Sequence, residues 1–214
     1  MDHSNDLEPF YKLKNKYDET LIFESRFESG NLHYVIQSGR YEYDLYLNPD
    51  SNTDSYTEWF YFRIQNTRCN IQYTFNIRNY HNSDNLYNQG MLPLVYSRKD
   101  YEKHNLSWQR DGSNVACYQD LDATGDTKLN YILTFNLTFK YDNDEVYIAY
   151  WYPYTYSDLE YYIEQNCTNR NVVRTTPLYK TKANNEIDLI IITKFDSWDL
   201  DVAMRDAVIL IARV

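Results

Sequence analysis

The chain has 214 residues, which is enough for one large domain, or for one medium domain with part of another. Its formal net charge is −10. Because phosphate binding needs a clustered basic face, this charge argues against nucleic acid as a partner. The basic residues that do gather are interrupted by acids and tyrosines, and we interpret them as solvated surface: Lys12, Lys14 and Lys16, then Arg98, Lys99 and Lys103.

The composition also argues against membrane insertion and secretion. No stretch has the apolar length of a membrane span, and the opening MDHSNDLEPF lacks the apolar run of a secretory signal. The cysteines Cys69, Cys117 and Cys167 are odd in number and far apart, as in a cytoplasmic protein with reduced thiols. Glycine and proline occur only 5 times each, so we expect asparagine and aspartate to make most turns.

The first three quarters of the chain predict short β-strands. Apolar and polar residues alternate in several segments separated by polar turns: 21–27, 41–47, 59–65, 71–77, 131–139 and 145–151. In two of these segments the alternation predicts an inward face of Ile71, Tyr73, Phe75 and Ile77, and of Tyr131, Leu133, Phe135, Leu137 and Phe139. Gln72, Thr74 and Asn76 are predicted to point outward. Strands with one apolar face each predict two sheets packed face to face.

The pattern changes after Pro153. Residues 156–166 predict a helix that begins at Ser157, with Glu160 completing a capping box. The runs 187–193 and 207–212 are apolar on both faces, as in strands of a sheet that helices cover on both sides. The predicted fold is therefore mainly β: an antiparallel β-sandwich over 1–153, then the incomplete start of an α/β domain over 154–214.

No set of residues predicts a catalytic, cofactor or metal site. His3, His33, His81 and His104 are scattered and lack the short spacing of zinc ligands. Cys117 has no helper residue nearby that would favour a nucleophile, and there is no glycine-rich phosphate loop. From its residues alone, the first domain is predicted to support or recognise another protein region.

Five blocks of the sequence carry a resemblance to a known family. In chain order they are LIFESRFESGNL (21–32), YEYDLYLNPDSNT (41–53), EWFYFRI (58–64), NQGMLPLVYS (88–97) and YIAYWYPYTYSDL (147–159). Together they resemble successive hallmarks of the cytosolic carboxypeptidases. In that family an N-terminal β-sandwich precedes a zinc carboxypeptidase domain of α/β type, and the resemblance extends from about residue 20 to Val214.

The resemblance implies an enzymatic activity and the position of the zinc ligands in the sequence. Members of the family remove glutamate from polyglutamate tails or from the C-termini of proteins such as tubulin in the cytoplasm. Their zinc ligands begin at a His-Pro-Gly-Glu motif, and Arg213 and Val214 match the residues just before it. The resemblance therefore implies a zinc enzyme at full length. It also implies no catalytic, cofactor-binding or metal-binding residue, and so no activity, in this chain alone. The expected partners are the chain's own catalytic domain and glutamate-tailed proteins.

Several interpretations stay open. Glu24, Arg26 and Glu28 are expected to form a satisfied polar cluster at the base of the sandwich, or else to touch the catalytic domain. Residues 152–157 predict an aromatic hinge, with a substrate-side rim as the alternative. Trp59, Trp108 and Trp151 are predicted to pack in the core or between domains, with stacking on a ligand as the alternative. The alternative for the whole chain is a non-catalytic binding module, or pseudoenzyme, that retains only the sandwich.

Overall fold

A computed structural model describes residues 12–51, 53, 56–81, 86–120, 131–196 and 198–211. The chain divides into two compact units, Met1–Pro153 and Tyr154–Val214. His3 lies outside the described residues, as does the end of the run 207–212. No helix among the described residues combines the length and the apolar composition needed to cross a membrane.

The first unit contains two five-stranded sheets. Its strands are β1 (Ile22–Glu24), β2 (Tyr34–Gly39), β3 (Glu42–Tyr46), β4 (Tyr61–Gln65), β5 (Gln72–Tyr80), β6 (Leu94–Ser97), β7 (Gln109–Arg110), β8 (Ser113–Gln119), β9 (Tyr131–Thr138) and β10 (Val146–Ala149). The first sheet has the order β1-β4-β10-β6-β7 and the second the order β2-β3-β5-β9-β8. Neighbouring strands are antiparallel except β3 and β5, which are parallel. A 3-10 helix, Leu86–Gln89, and helix α1, Arg98–His104, lie in the connections.

The predicted inward faces form the core between the sheets. Phe75 of β5 and Phe135 of β9 are fully buried, and their ring centroids lie 5.5 Å apart. Contacts then cross to the first sheet: the Phe23 ring lies 6.3 Å from that of Phe75, and the Phe60 ring lies 6.5 Å from that of Phe135. The prediction of a mainly β fold with two packed sheets is confirmed.

The second sheet adds two details to the prediction. Asn76 does point away from the core, but it is buried, because neighbouring polar side chains cover it. Its amide donates to Glu42 and Asp44, at 2.9 Å each, and accepts from the hydroxyl of Thr134. The second detail is that β3 pairs with β5 in parallel, which differs from the antiparallel prediction because alternation within a strand carries no information on strand direction.

Asparagine makes the tight turns that glycine makes in many proteins. Among the described residues, six asparagines adopt positive φ, the left-handed conformation that side chains other than those of Asn and Asp rarely tolerate: Asn66, Asn70, Asn105, Asn114, Asn143 and Asn184. Asn105, for example, ends helix α1, where its backbone N–H bonds back into the helix. The turn-forming role predicted for asparagine is therefore confirmed at these positions.

The second unit contains helix α2 (Tyr156–Asn166), strands β11 (Val173–Lys180) and β12 (Glu186–Ile192), and helix α3 (Asp199–Ala203). Helix α2 covers the predicted range, but its predicted cap is wrong. Thr155 is the N-cap, and it forms a reciprocal capping box with Asp158 rather than Ser157 with Glu160. A Thr-x-x-Asp set two residues earlier therefore satisfies the free N–H groups.

The two apolar runs of this unit are not buried. Strand β12 pairs with β11, and its side chains from Leu189 to Ile192 are exposed. Residues 207–211 form no strand, and Val208, Ile209, Leu210 and Ile211 are between 81% and 92% exposed. The strand predicted at 187–193 is therefore present, whereas the strand predicted at 207–212 is not found in its described residues. The exposure of both runs agrees with the expectation that only the rest of an α/β domain would cover them.

Candidate interaction surface

The outer face of the first sheet carries an aromatic depression. In β4, Phe62 and Ile64 point into the core, so the alternating residues Tyr61 and Arg63 point outward. Strand β10 and the neighbouring β6 add Tyr147 and Tyr96 to the same face. The aromatic depression is open to solvent and has a volume of about 730 Å³. It is lined by Phe27, Glu28, Tyr61, Arg63, Tyr96, Arg98, Tyr101, Glu102, Trp108, Glu145 and Tyr147.

Four rings contact each other around a closed circuit. The Trp108 centroid lies 5.9 Å from that of Tyr61 and 5.6 Å from that of Tyr96. Tyr147 completes the circuit, at 6.1 Å from Tyr61 and 6.0 Å from Tyr96. Phe27 covers one side, with its ring 4.9 Å from that of Tyr61. Tilted contacts at these distances are the favoured geometry for aromatic pairs, so the circuit is a stable, shaped surface.

Charged groups in the depression are paired with one another. Glu145 accepts from Arg63 at 3.5 Å and from Arg98 at 3.3 Å, and Arg98 also reaches Glu102 at 3.1 Å. The hydroxyl of Tyr147 donates to Glu145 at 3.1 Å. The hydrogen bond that Arg98 donates to Glu102 raises the pKa of Arg98, and burial raises the pKa of Tyr147. Both groups therefore keep their protons at neutral pH, and the depression combines aromatic rings with fixed ion pairs.

The loop FESRFESG places two residues in this depression. Arg26 and Glu24 form an ion pair through two guanidinium nitrogens, and hydrogen bonding from Arg26 lowers the pKa of Glu24 to about 2. Ser29 adopts a positive φ of 62°, and a side chain at Gly30 would clash with the carbonyl oxygen of Ser25 at 2.1 Å. This tight loop presents Phe27 to Tyr61.

The polar cluster expected in this loop is present in part. Glu24 and Arg26 are brought together, whereas Glu28 is exposed and lines the depression. The Trp59 indole fixes the end of the loop, because its Nε1 donates to the carbonyl of Ser29 at 2.7 Å. The loop therefore has two distinct parts, one that is internally satisfied and one that faces outward.

The tryptophans lie outside the core. Trp59 and Trp108 are half-buried on the outer side of the first sheet, where they contact Tyr61. Trp151 is 50% exposed, and the guanidinium of Arg110 stacks over its ring at 4.6 Å. The core alternative predicted for these residues is therefore wrong, because the smaller Phe and Tyr rings fill the space between the sheets. Interdomain packing stays a prediction.

Histidines and cysteines are distributed over separate places. His33 contacts Tyr34, His81 contacts Tyr56, and His104 lies in the last turn of α1. Cys117 is buried, and hydrogen bonding to Asp142 raises the pKa of the Cys69 thiol, which keeps it protonated. Among the described residues, no three His, Cys, Asp or Glu side chains come together as a metal-ligand set. These residues therefore do not fit a bound zinc ion, and we derive no metal chemistry from them.

The residues that form the depression come from separate parts of the sequence. Phe27 belongs to the block 21–32, Tyr61 and Arg63 to 58–64, Tyr96 to 88–97 and Tyr147 to the start of 147–159. Four of the five blocks that carried the resemblance therefore meet at one surface. Sequence reasoning did not predict this surface. The signal was available, since outward positions of β4 and β10 hold tyrosines where a solvated face would hold polar residues.

Solved structures share this fold. A metallo-carboxypeptidase from Burkholderia cenocepacia matches with a TM-score of 0.55 at 18% identity, over 80% of this chain and 39% of that chain. A metallo-carboxypeptidase from Pseudomonas aeruginosa matches with a TM-score of 0.53 at 18% identity, over 78% of this chain and 39% of that chain. At this identity the matches establish the fold alone.

Sequence comparison establishes the family. Human cytosolic carboxypeptidase 2 is 39% identical over 205 residues, which cover 94% of this chain and 23% of that protein. Cytosolic carboxypeptidase 3 of Bos taurus is 39% identical over 96% of this chain and 21% of its own length. The chain therefore spans about a quarter of the relatives it matches. Because residues 23–151 also match the family model for the cytosolic carboxypeptidase N-terminal domain, the chain belongs to the cytosolic carboxypeptidase family.

Proposed function

We propose that this chain is the N-terminal part of a cytoplasmic zinc metallocarboxypeptidase, in which the sandwich supports a catalytic region that follows it. The proposed reaction of the full-length enzyme is removal of glutamate from polyglutamate tails, or from the C-termini, of proteins such as tubulin. The support for this activity is the family to which the chain belongs. In this proposal the chain itself provides no zinc ligand and no catalytic base.

The observation that carries the supporting role is the convergence of the family-like blocks on the aromatic depression. The depression combines half-buried aromatic rings with ion pairs whose partners are already fixed, such as Glu145 with Arg63. Aromatic residues and arginine are enriched in protein interfaces, and residues such as Trp, Tyr and Arg dominate their binding energy. We therefore propose that the catalytic region docks on this surface.

The apolar faces of the second unit support the same proposal. Strand β12 exposes Ile187, Leu189, Ile190, Ile191 and Ile192. Two-stranded hairpins with uncovered apolar faces are not stable in water without further packing. The remainder of an α/β domain would cover these residues, as in the proposed full-length enzyme.

The test compares this chain with a version extended by the catalytic region of a relative such as human cytosolic carboxypeptidase 2. Glutamate released from a polyglutamate peptide is measured for both. We expect release by the extended protein only. In the extended protein, Trp108→Ala should lower activity and expose the catalytic region to proteolysis, whereas Tyr118→Ala, on the other sheet, should change neither.

Two results would contradict the proposal. An inactive but folded extended protein would favour the binding-module alternative, in which the sandwich functions without catalysis. Equal effects of Trp108→Ala and Tyr118→Ala would remove the aromatic depression as the docking surface.

A further inference from the structure

The second sheet of the sandwich has two edge strands, β2 and β8. The edge of β8 is covered by another part of the chain, whereas the edge of β2 is open in the described residues. An edge strand directs unpaired N–H and C=O groups away from the sheet and is a template for pairing with another extended segment. Folded proteins therefore shorten or cover such edges. In the first sheet the edge strands are short, at three residues for β1 and two for β7.

At β8 the edge is covered by one side chain. Asn88, in the 3-10 helix, donates from Nδ2 to the carbonyl of Cys117 and accepts at Oδ1 from the N–H of the same residue, both at 2.8 Å. The amide of Asn88 thus occupies the position that the backbone of another strand would take. This contact blocks the middle of β8.

At β2 no equivalent cover exists in the described part of the chain. The strand spans Tyr34–Gly39 and pairs only with β3. Among the described residues, no backbone group of β2 has a hydrogen-bond partner outside β3. From the described part of the N-terminal segment, Thr20 contacts the side chain of Gln37, near the end of the strand.

The sequence of β2 lacks the residues that usually protect an edge. YVIQSG contains no charged residue and no proline, both of which disfavour strand pairing. Tyr34 and Ile36 alternate on its outer face, and Ile36 is 49% exposed. The Tyr34 ring is held by stacking on Tyr46 of β3, at 4.3 Å and 15°. The pairing of β2 with β3 is regular from Tyr34 to Gln37 and shifts register only between Gln37 and Gly39. An added strand would therefore meet a regular backbone over Tyr34–Gln37, with the apolar side chains of Tyr34 and Ile36 beside it.

We propose that β2 binds an extended segment of another protein by strand addition, with apolar residues at alternate positions and a net positive charge. The backbone groups of β2 require an extended partner backbone, and Tyr34 and Ile36 select apolar neighbours. The charge follows from the surroundings. The chain carries a net charge of −10, and Asp44 and Glu42 face outward on β3, the next strand.

The same charge argues against a second copy as the occupant. Two copies that each carry −10 repel each other, whereas a basic segment is attracted. A strand added beside β2 lies two strand spacings, about 10 Å, from β3. This distance is slightly more than the Debye length of about 8 Å at physiological salt, so screening weakens the attraction between lysines on the added strand and the carboxylates of β3 without abolishing it.

The test uses a fluorescein-labelled peptide, Lys-Val-Thr-Val-Thr-Val-Lys, and the full chain, with binding followed by fluorescence anisotropy. Ile36→Lys is compared with Tyr118→Lys, a matched control on the covered strand β8, where Tyr118 is also 49% exposed. Both variants add one positive charge, so their general electrostatic effect is the same. We expect Ile36→Lys to weaken binding by about tenfold or more and Tyr118→Lys by less than about twofold.

Two further measurements isolate the backbone contribution. A peptide methylated on alternate backbone nitrogens cannot complete the strand ladder and should not bind. In hydrogen exchange, the unmodified peptide should protect amides of residues 34–39. Equal weakening by both variants, binding of the methylated peptide, protection elsewhere only, or no saturable binding would overturn the proposal. A dimer that Ile36→Lys abolishes, without peptide binding, would assign the edge to a second copy instead.

Discussion

Arg26 holds Glu24 in a two-pronged ion pair within a single tight loop. The guanidinium Nε donates to Oε1 of Glu24 at 2.7 Å, and a second nitrogen donates to Oε2. Oε1 also accepts from the backbone N–H groups of Ser25 and Arg26, at 3.0 and 2.8 Å. The carboxylate therefore organises the loop that presents Phe27 to the aromatic depression.

This pair predicts a specific dependence of stability on pH. The pKa of Glu24 falls from 4.5 to about 2, chiefly because Arg26 binds its charged form. A depressed pKa in the folded state stabilises the fold at pH values above 4.5, and this contribution is lost as the pH falls from 4.5 towards 2. Glu24→Gln should therefore lower the free energy of unfolding by about 1 kcal/mol at pH 7, since the pair is partly exposed.

Urea unfolding of both proteins, followed by tryptophan fluorescence, measures the difference at each pH. The gap between wild type and Glu24→Gln should shrink as the pH falls below 4.5. A gap that stays constant, or that widens in acid, would show that the carboxylate is not stabilised by Arg26.

The burial of Phe75 predicts a large loss of stability when its ring is removed. Its ring is fully buried and contacts Phe23, Tyr43, Tyr73 and Phe135. Phe75→Ala leaves a cavity that these rings cannot fill and should lower the free energy of unfolding by about 3–5 kcal/mol. Tyr118→Ala, at a half-exposed site of the same sheet, should cost less than about 1 kcal/mol. A loss below about 1 kcal/mol for Phe75→Ala would place this ring outside the core.

The sequence predicted the core well because burial imposes a period of two on each strand. Tyr73, Phe75 and Ile77 are inward as expected, since a shift by one residue would expose all three. The same reasoning could not find β11, because Pro177 and its polar neighbours interrupt any alternation. Helix α1 was not predicted because it is short. Its seven residues make only about two turns, which is too few to show a helical repeat of apolar residues.

The aromatic depression was missed for a different reason. Tyr61 and Tyr147 lie in segments predicted as strands, 59–65 and 145–151. Tyrosines commonly half-bury on strands, and this tendency does not distinguish a core from an outer surface. Trp108 joins them across a long sequence separation, and only the strand order β4-β10-β6 brings these residues together. Sequence periodicity gives the face of a strand but not its neighbours.

The exposed apolar side chains of the second unit lead us to expect low solubility of the isolated chain. Leu178, Tyr179 and Ile192 on the β11–β12 hairpin, and residues 208–211 beyond it, expose apolar side chains. Such a surface favours aggregation or pairing with other chains. Ending the chain at Asn166 removes all of these residues and should raise solubility, measured as the fraction remaining in solution after centrifugation over a range of concentrations. Removing only residues 207–214 should give an intermediate result, and equal or worse behaviour of the shorter chains would contradict this explanation.

The scattered histidines lead to the last prediction, which concerns zinc. A hydrolytic zinc site needs three protein ligands and an open position for water. His33 lies beside β2, His81 follows β5, and His104 ends α1, so the folded sandwich keeps these side chains in separate contacts. We expect the purified chain, dialysed against zinc and then against buffer, to retain well under one equivalent by elemental analysis. The variants His33→Ala, His81→Ala and His104→Ala should give the same value as the wild type. One tightly held equivalent that any of these substitutions removes would contradict the prediction, and would place a metal site within the N-terminal domain itself.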